Sequence, residues 1–231
     1  MSAGRAASGI ERVFDEGRTL RPMTAAFQGS LLDFCEKAGP GPLGTSVVRT
    51  ALTHGAWIDL RPGWITGADG LFDRLAHTVP WQAESRRMYD RIVDVPRLVS
   101  FYAEDQTLPD SMLDDARHAL NAHYGEELGE PFRTTGLCLY RDGQDSVAWH
   151  GDTIGRGRTQ DTIVAIISVG APRALLLRPR GGGRALRYEL GHGDLIVMGG
   201  SCQRTWEHAV PKAARASGPR ISIQFRPRGV R

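Results

Sequence analysis

Apolar residues recur along this chain at two different spacings. Over residues 71–79 and again over residues 112–120 they return every three or four positions, which predicts two helices, because residues at that spacing share one helical face. The first helix is predicted to close at Pro80. The second is predicted to begin at an N-cap formed by Asp110 or Ser111 and to finish near Gly125.

The region upstream of these helices carries weaker patterns. Residues 1–20 are rich in glycine, alanine, serine and charge, and are expected to be mobile. A short helix is predicted around residues 31–35, ending before the Gly-Pro-Gly-Pro turn at 39–42. Extended segments are predicted at 46–53 and 56–60.

From residue 134 onward the spacing of apolar positions changes from about 3.6 to about 2, which is typical of strands. Eight strands are predicted, at 135–141, 146–150, 162–169, 173–178, 184–189, 194–198, 205–210 and 220–226. Eight short strands without a crossover helix predict a double-stranded β-helix, or jelly roll. The expected fold is therefore mainly β, with the upstream helices flanking a jelly-roll core.

Composition limits the class of protein. With 231 residues, 41% hydrophobic and 24% charged, the chain fits one large globular domain with an N-terminal elaboration. No apolar run approaches the ~20 residues of a membrane helix, and no signal-peptide core is visible. The three cysteines have neither disulfide-framework nor zinc-binding spacing. We therefore expect a cytoplasmic protein without membrane contact, and a monomer because coiled-coil heptads are absent.

The net charge of +3 conceals two regions of opposite sign. Residues 1–131 carry 13 basic and 19 acidic groups, a net −6, whereas residues 132–231 carry 16 basic and 7 acidic groups, a net +9. Fifteen of those sixteen cations are arginines, whose planar guanidinium suits phosphate. Composition alone leaves nucleic-acid binding and simple arginine richness as equal interpretations.

Three residues with metal-binding side chains stand out in the predicted strands, and we call them the metal triad. His150 and Asp152 are two positions apart, so both point to one face if the strand continues through them. His208, on the seventh predicted strand, can supply a third ligand. Two histidines and one carboxylate are typical of an open Fe(II) site, and they also suit Zn(II) or Mn(II).

A second His-x-Asp sequence, His192-Gly193-Asp194, competes for the same role. Gly191 and Gly193 flank His192, which favours a glycine turn leading into the apolar strand at 194–198. We therefore assign the metal to the first pair and a structural turn to the second.

The last predicted strand alternates strictly between polar and apolar side chains. One face carries isoleucine and phenylalanine, and the other carries Arg220, Ser222, Gln224 and Arg226. If the polar face lines the barrel interior, two guanidinium groups are buried there and require anionic partners. A dicarboxylate co-substrate held by bidentate arginine contacts would supply them. The alternative is an edge strand with solvated arginines.

These features, in this order along the chain, resemble the AlkB family of Fe(II) and 2-oxoglutarate-dependent dioxygenases. The resemblance spans about residues 80–225. Its components are Leu-Tyr-Arg at 139–141, Trp-His-Gly-Asp at 149–152, Trp-x-His-x-Val-Pro at 206–211 and the two arginines at 220 and 226. The His-Gly-Asp-Leu sequence at 192–195 also looks like a structural turn of this family, which supports assigning the metal elsewhere.

The resemblance implies that the metal triad binds iron. It also implies that Tyr140 and Arg220 hold the distal carboxylate of 2-oxoglutarate, that Ser222 lines the same site and that Arg226 lies nearer the iron. Two positions depart from the family, in which asparagine is common where this chain has Cys138 and Ser222. These departures affect co-substrate affinity and substrate choice more than the type of reaction.

The family also implies a nucleotide-recognition lid before the first barrel strand. Trp81 and Tyr102 are the aromatic candidates for stacking on a flipped base, with ordinary core packing as the alternative. Arg156 and Arg158, in a Gly-Arg-Gly-Arg loop, are candidates for phosphate contacts, with a solvated loop as the alternative. The expected regions are therefore an N-terminal extension (1–79), a lid with its supporting helix (80–133) and a catalytic core (134–231).

The reaction implied by the resemblance is oxidative dealkylation of N-alkylated bases in DNA or RNA, as in DNA repair. Dioxygen and 2-oxoglutarate are consumed, and succinate, carbon dioxide and formaldehyde are released. One alternative is a hydroxylase of RNA, protein or a small molecule built on the same iron core. Another is a non-catalytic jelly-roll module that binds nucleic acid, which two buried arginines argue against.

Overall fold

The computed structural model describes residues 38–88, 91–214 and 218–230. The expected mobile N-terminus and the helix predicted around 31–35 lie outside these ranges. Within them, the strands are β1 (Gly39–Pro40), β2 (Val48–Ala51), β3 (Ala56–Arg61), β4 (Ile65–Thr66), β5 (Gln82–Met88), β6 (Arg91–Tyr102), β7 (Thr134–Tyr140), β8 (Val147–His150), β9 (Val164–Gly170), β10 (Arg173–Pro179), β11 (Leu186–Leu190), β12 (Asp194–Gly200), β13 (Trp206–Val210) and β14 (Arg220–Arg226). The α-helices are α1 (Ala68–Thr78), α2 (Ser111–Leu128) and α3 (Cys202–Thr205).

Two antiparallel sheets form the body of the described chain. The larger has the strand order β2-β3-β12-β9-β14-β7-β6-β5, and the smaller has the order β11-β10-β13-β8. The eight strands predicted from residue 134 onward are the strands β7 to β14, and they divide equally between the two sheets. This arrangement confirms the jelly-roll prediction. The strands β2, β3, β5 and β6 extend the larger sheet on both sides.

The larger sheet is buried on both faces at its centre, as β14 shows. It lies between β9 and β7 at the centre of the sheet, so it is not an edge strand. Ile221, Ile223 and Phe225 belong to the core that the sheet shares with α1 and α2. Arg220 and Ser222 are also buried, at 1% and 3% exposure, but point between the two sheets. The prediction of a buried polar face is confirmed.

Both predicted helices are present on the outer face of the larger sheet. Asp110 caps the second helix, because its carboxylate accepts the backbone N–H of Met112 at 3.0 Å. This helix ends at Leu128 and not near Gly125 as predicted. The reason is that Gly129, and not Gly125, takes the left-handed C-cap conformation, with φ of 67°.

A hairpin of β5 and β6 adds to the edge of the larger sheet beside β7. Neighbouring residues of β6 face opposite sides of the sheet, so Leu98 and Tyr102 pack on the helical core. Val99 packs on the core between the two sheets instead. The last residues of β6 therefore border the space between the two sheets.

No helix within the described residues is both long enough and apolar enough to cross a bilayer. The division of the chain at residues 80 and 134 stays a prediction. Strands from all three predicted regions share hydrogen bonds within the larger sheet, from β2 and β3 through β5 and β6 to the core strands.

Candidate metal and co-substrate site

The structure brings the three residues of the metal triad together between the two sheets. His150 ends β8 and pairs directly with His208 of β13, and their ring centroids are 4.2 Å apart. Asp152 follows in the turn after β8, and one potential ligand atom from each residue lies within 4.8 Å of the others. Asp152 and His208 are buried and His150 is half-buried. The cluster can therefore hold one metal ion.

The two histidines are prepared to bind a cation. Nδ1 of His150 lies 2.8 Å from the carbonyl oxygen of Ala148, and because a carbonyl only accepts, the proton must be on Nδ1. Nε2 of His150 is then left with a free lone pair. Burial lowers the pKa of His150, and burial together with the neighbouring His150 lowers the pKa of His208 to about 3. Both rings are thus neutral near pH 7.

Asp152 is held by two side chains from other strands and turns. Its backbone N–H donates to Oε1 of Gln203 at 2.9 Å, and its Oδ2 accepts from Nε of Arg226 at 2.9 Å. Burial is the largest single effect and opposes ionisation of this carboxyl, but the charge and hydrogen bond of Arg226 together with the two histidines outweigh it and lower the pKa of Asp152 to about 2. Asp152 is therefore an anion with a fixed orientation. No sequence pattern indicated a role for Gln203, which is buried in the short helix α3.

Two glycines keep these supporting contacts in place. A Cβ on Gly151 would lie 2.6 Å from Nη2 of Arg180 and 2.7 Å from the carbonyl oxygen of Gln203. A Cβ on Gly136 would lie 2.9 Å from Nη1 of Arg226. Both glycines are required by the close approach of neighbouring groups.

The competing pair has a different environment. Nδ1 of His192 accepts the backbone N–H of Gly170 at 2.8 Å, and its Nε2 lies 3.2 Å from the carboxylate of Asp69. The carboxylate of Asp194 accepts two backbone N–H groups, at 2.7 and 2.8 Å. The metal triad is the one cluster of potential ligands found within the described ranges. The assignment of His192 and Asp194 to a structural turn is supported.

Arg220 supplies an anion-binding group at some distance along the same strand face. Its guanidinium is fully buried, Nε donates to Oγ of Ser168 at 2.8 Å, and Nη1 has no hydrogen-bond partner. Its carbon Cζ lies 5.3 Å from the ring centroid of Tyr140. Burial raises the pKa of Tyr140 to about 12, so the phenol stays neutral. A buried cation with an unused donor fits a carboxylate ligand.

A second buried arginine, Arg173 at the start of β10, lies 5.4 Å from the same tyrosine ring. Its guanidinium donates to the carbonyl oxygens of Asp142, Asp145 and Pro211, at 2.9, 2.7 and 2.8 Å. Arg173 therefore ties three segments together and also adds positive charge behind Arg220. The sequence placed it at the start of a strand without marking it as part of the site.

The two departures from the family pattern lie opposite each other on neighbouring strands. Ser222 pairs in register with Cys138, and Gln224 contacts both. Nε2 of Gln224 donates to Oγ of Ser222 at 2.8 Å, and its Oε1 lies 3.9 Å from Sγ of Cys138. The same Oε1 accepts from Nη2 of Arg226 at 3.3 Å. Gln224 thus links this pair to the arginine that holds Asp152.

The metal triad and the co-substrate residues open into one cavity of about 870 Å³. Its wall includes the metal triad, Tyr140, Arg220, Ser222, Gln224 and Arg226, together with Arg97, Val99 and Phe101 of β6. A cavity of this size is typical of small-molecule sites and can take more than one ligand.

The predicted substrate contacts fall in different places. Trp81 and Tyr102 pack on the helical core and are not part of the cavity wall, and Nε1 of Trp81 donates to the carbonyl oxygen of Ala76 at 3.3 Å. Phe101, the neighbour of Tyr102, is 41% exposed and does line the cavity. Adjacent residues of a strand face opposite sides of the sheet, which explains the difference. The sequence did not show which residue faces the cavity, because both faces of β6 carry apolar residues.

The two candidate phosphate contacts also differ from each other. Arg156 donates through Nε to the carbonyl oxygen of Arg228 at 3.0 Å and through Nη2 to Glu130 at 2.5 Å. Arg158 is exposed on the same turn. Arg156 thus serves the structure of this loop, and Arg158 is the better placed of the two to reach a phosphate.

Comparison with known proteins supports this geometry. The model of the 2OG-Fe(II) oxygenase superfamily matches residues 100–226. The chain is 31% identical over 201 residues to human alpha-ketoglutarate-dependent dioxygenase alkB homolog 3, covering 79% of this chain and 67% of the relative. It is 28% identical over 191 residues to the DNA oxidative demethylase ALKBH2 of Arabidopsis thaliana, covering 67% of this chain and 60% of that protein.

Solved structures share the fold. A prolyl hydroxylase of Trichoplax adhaerens superposes with a TM-score of 0.55 at 8% identity, covering 76% of this chain and 84% of its own. A 2OG-Fe(II) oxygenase family oxidoreductase of Burkholderia pseudomallei gives a TM-score of 0.52 at 13% identity, covering 73% and 84%. Family match, sequence relatives and metal triad agree, and so the chain belongs to the 2OG-Fe(II) oxygenase superfamily and, within it, to the AlkB family, whose members use Fe(II) and 2-oxoglutarate.

Proposed function

We propose that this dioxygenase removes alkyl groups oxidatively from N-alkylated bases in DNA or RNA, as a DNA-repair activity. The observation that carries the proposal is a single cavity of about 870 Å³ holding a metal triad, a buried arginine with a free donor and an aromatic side chain at its wall. The relatives named as a DNA oxidative demethylase and as alkB homolog 3 support a nucleic-acid substrate. The net +9 of residues 132–231 supports the same choice.

His150, Asp152 and His208 would hold Fe(II). The donor set fits this metal, since two neutral imidazoles and one carboxylate occupy one side of the ion and leave positions free. Arg226 fixes the Asp152 carboxylate through the 2.9 Å contact, and Gln203 fixes its backbone. These contacts orient the ligands before the metal binds.

Arg220 and Tyr140 would hold the distal carboxylate of 2-oxoglutarate. The unpartnered Nη1 of Arg220 and the neutral Tyr140 hydroxyl both donate, and Arg173 adds positive charge behind them. Ser222 and Cys138 line the same part of the cavity, where a shorter hydroxyl and a thiol replace the amides common in the family.

The alkylated base would enter beside Phe101. We now assign the stacking role to Phe101, in place of Trp81 and Tyr102, because it lines the cavity and has exposed surface. A flipped base lying against this ring would have its alkyl group directed at the metal triad. Arg158 would contact a phosphate at the surface.

When bound, iron and 2-oxoglutarate supply an oxidant from dioxygen that hydroxylates the N-alkyl carbon, and the resulting hemiaminal breaks down to aldehyde and the free base. The chain contributes position and a dry environment. Neutral His150 and His208 and the low pKa of Asp152 keep the ligand atoms free of protons near pH 7. No side chain needs to act as a general base.

A cytoplasmic location and a monomeric state are also part of the proposal. The two cysteines within the described ranges, Cys138 and Cys202, are buried free thiols, which is typical of a reducing compartment. Light scattering of the purified protein tests the monomer, because a particle mass near twice 25.3 kDa would contradict it.

The test of the function is a substrate panel. Purified protein with Fe(II), ascorbate and 2-oxoglutarate is offered methylated DNA, methylated RNA and a methylated peptide, and formaldehyde and succinate are measured. The proposal predicts formaldehyde release from methylated nucleic acid only. Release from the peptide alone, or succinate formation with none of the nucleic acids demethylated, would overturn it in favour of another hydroxylase activity.

A further inference from the structure

A second pocket of about 810 Å³ lies beside the catalytic cavity, and none of the metal or co-substrate residues lines it. Its wall is formed by the segment after β6 and by the residues before the C-terminus, with Phe101, Ala103, Glu104, Asp105, Thr134, Ile154, Gly155, Arg228, Gly229 and Val230. Phe101 and Ile154 belong to the walls of both cavities, so the two spaces adjoin across these side chains.

The two shared residues are exposed in an unusual way. Phe101 is 41% and Ile154 is 64% exposed, and together with Val48 they are the exposed large apolar residues found within the described ranges. Two such residues at one boundary form an apolar surface that solvent does not favour. A flat apolar ligand would cover it.

The floor of this pocket is preformed. Gly155 forms a bridge to Val230, and the backbone N–H of Arg156 donates to the carbonyl oxygen of Gly229 at 3.0 Å. A Cβ on Gly155 would lie 2.1 Å from that oxygen, so the two segments touch at the backbone. A ligand therefore meets a fixed surface and pays little ordering cost.

The charged residues that line this pocket do not favour an anion. Glu104 pairs with Arg228 at 2.9 Å and with Arg133, outside the lining, at 2.8 Å, and Asp105 adds a second carboxylate. One lining cation against two lining carboxylates leaves no net attraction for phosphate. The pocket thus favours a neutral aromatic group over the charged backbone of a nucleic acid.

We propose that this pocket, defined by Phe101, Ile154 and Ala103, binds the nucleobase next to the alkylated one. The inference rests on the proposed function, since a nucleotide neighbouring the target is joined to it by one phosphodiester and the two cavities adjoin at Phe101 and Ile154. Because Phe101 lines both cavities, its ring would contact the target on one side and the neighbouring base on the other. The pocket would make the enzyme prefer a substrate of at least two nucleotides.

The experiment compares three substrates of increasing length with the full chain. They are the mononucleotide of 1-methyladenine and the two dinucleotides that add thymidine on its 5′ or its 3′ side. Stacking on an aromatic ring makes binding about five- to a hundredfold tighter per base, so the KM of one dinucleotide should fall by a factor in that range. The other dinucleotide should show a smaller gain.

Ala103→Trp fills the pocket without touching the catalytic cavity, because Ala103 lines only the second space. It should raise the KM of the favoured dinucleotide to about that of the mononucleotide and leave the KM of the mononucleotide unchanged. Thr107→Trp is the matched control, since Thr107 is exposed nearby and lines neither cavity. Thr107→Trp should retain the full gain.

Demethylation of all three substrates with equal KM, or an equal loss on all three in Ala103→Trp, would overturn the neighbouring-base pocket and leave the proposed function standing. Failure to demethylate any nucleic acid, with succinate still formed, would instead overturn the proposed function. The two failures are therefore distinguishable.

Discussion

Replacement of Arg220 by methionine tests the co-substrate site through two quantities, the affinity for 2-oxoglutarate and the stability of the unliganded protein. The guanidinium is fully buried, and its Nη1 has no partner within the protein. Arg220→Met should therefore weaken 2-oxoglutarate binding strongly while costing the unliganded protein little stability. A residue needed only for packing would give the reverse pattern.

The size of the binding loss follows from the contact that is removed. Breaking one side of a buried charged pair costs about 3–5 kcal/mol, which is roughly a 10²- to 10³-fold increase in the Kd of 2-oxoglutarate. The unliganded fold loses the 2.8 Å bond to Ser168 and the interaction with Tyr140, and is relieved of a desolvated charge. Its Tm should change by no more than about 4 °C, equivalent to about 1 kcal/mol.

Calorimetry under argon with Mn(II) in place of iron measures binding without turnover. 2-Oxobutyrate, which keeps the metal-chelating end but lacks the distal carboxylate, isolates the contribution of Arg220. The wild-type protein should prefer 2-oxoglutarate over 2-oxobutyrate by about 10²- to 10³-fold. Arg220→Met should reduce this preference to a few-fold.

Arg173→Met is the matched control. Arg173 is also buried near Tyr140, but it donates to three carbonyl oxygens, which its loss would leave unsatisfied. Because each such bond to a charged group contributes about 1.5–3 kcal/mol, Arg173→Met should lower Tm by about ten degrees or more and keep most of the preference. An unchanged preference in Arg220→Met would refute the assignment of the distal carboxylate to Arg220.

Three further predictions concern the metal. His150→Ala should abolish demethylation and Mn(II) binding with the circular dichroism spectrum retained, whereas His192→Ala should bind Mn(II) normally; equal loss in both would place the metal elsewhere. Burial lowers the pKa of His150 and holds that of His208 at about 3, so protons compete little with the metal. Mn(II) affinity should therefore fall less than about threefold between pH 7.5 and 6.0. A tenfold fall in titrations at the two pH values would mean that the histidines are protonated as ordinary imidazoles are. Gln203→Leu removes the acceptor of the Asp152 N–H and should weaken Mn(II) binding by about 10- to 100-fold, and affinity equal to the wild type would show that this bond does not orient the ligand.

The jelly roll was predictable because the apolar positions after residue 134 return with a period of about 2 in eight short runs. In β14 the alternation defined a polar and an apolar face but left open whether the polar face was interior or on a solvated edge, and the central place of β14 in the larger sheet decides for the interior. The metal triad was predicted from the two-residue spacing of His150 and Asp152 and from the position of His208 on a neighbouring strand, although β8 ends at His150 and Asp152 lies in the following turn.

Other parts depend on contacts between segments that are distant in the chain. The β5–β6 hairpin was not predicted, because Pro96 and several charged residues interrupt the strand pattern. Gln203 and Arg173 act through hydrogen bonds to other elements, and such bonds leave no periodic signal. Phe101 and Tyr102 are both aromatic and adjacent, so only the register of β6 on β7 separates them.

The most direct test of the proposed dealkylation is the stoichiometry of one reaction. An oligonucleotide with a single 1-methyladenine is incubated with the enzyme, Fe(II), 2-oxoglutarate and dioxygen, and its mass is followed with succinate and formaldehyde. The account predicts that each strand loses one methylene unit for one succinate and one formaldehyde formed, and that nothing happens without iron. Succinate formation with the oligonucleotide mass unchanged would contradict it.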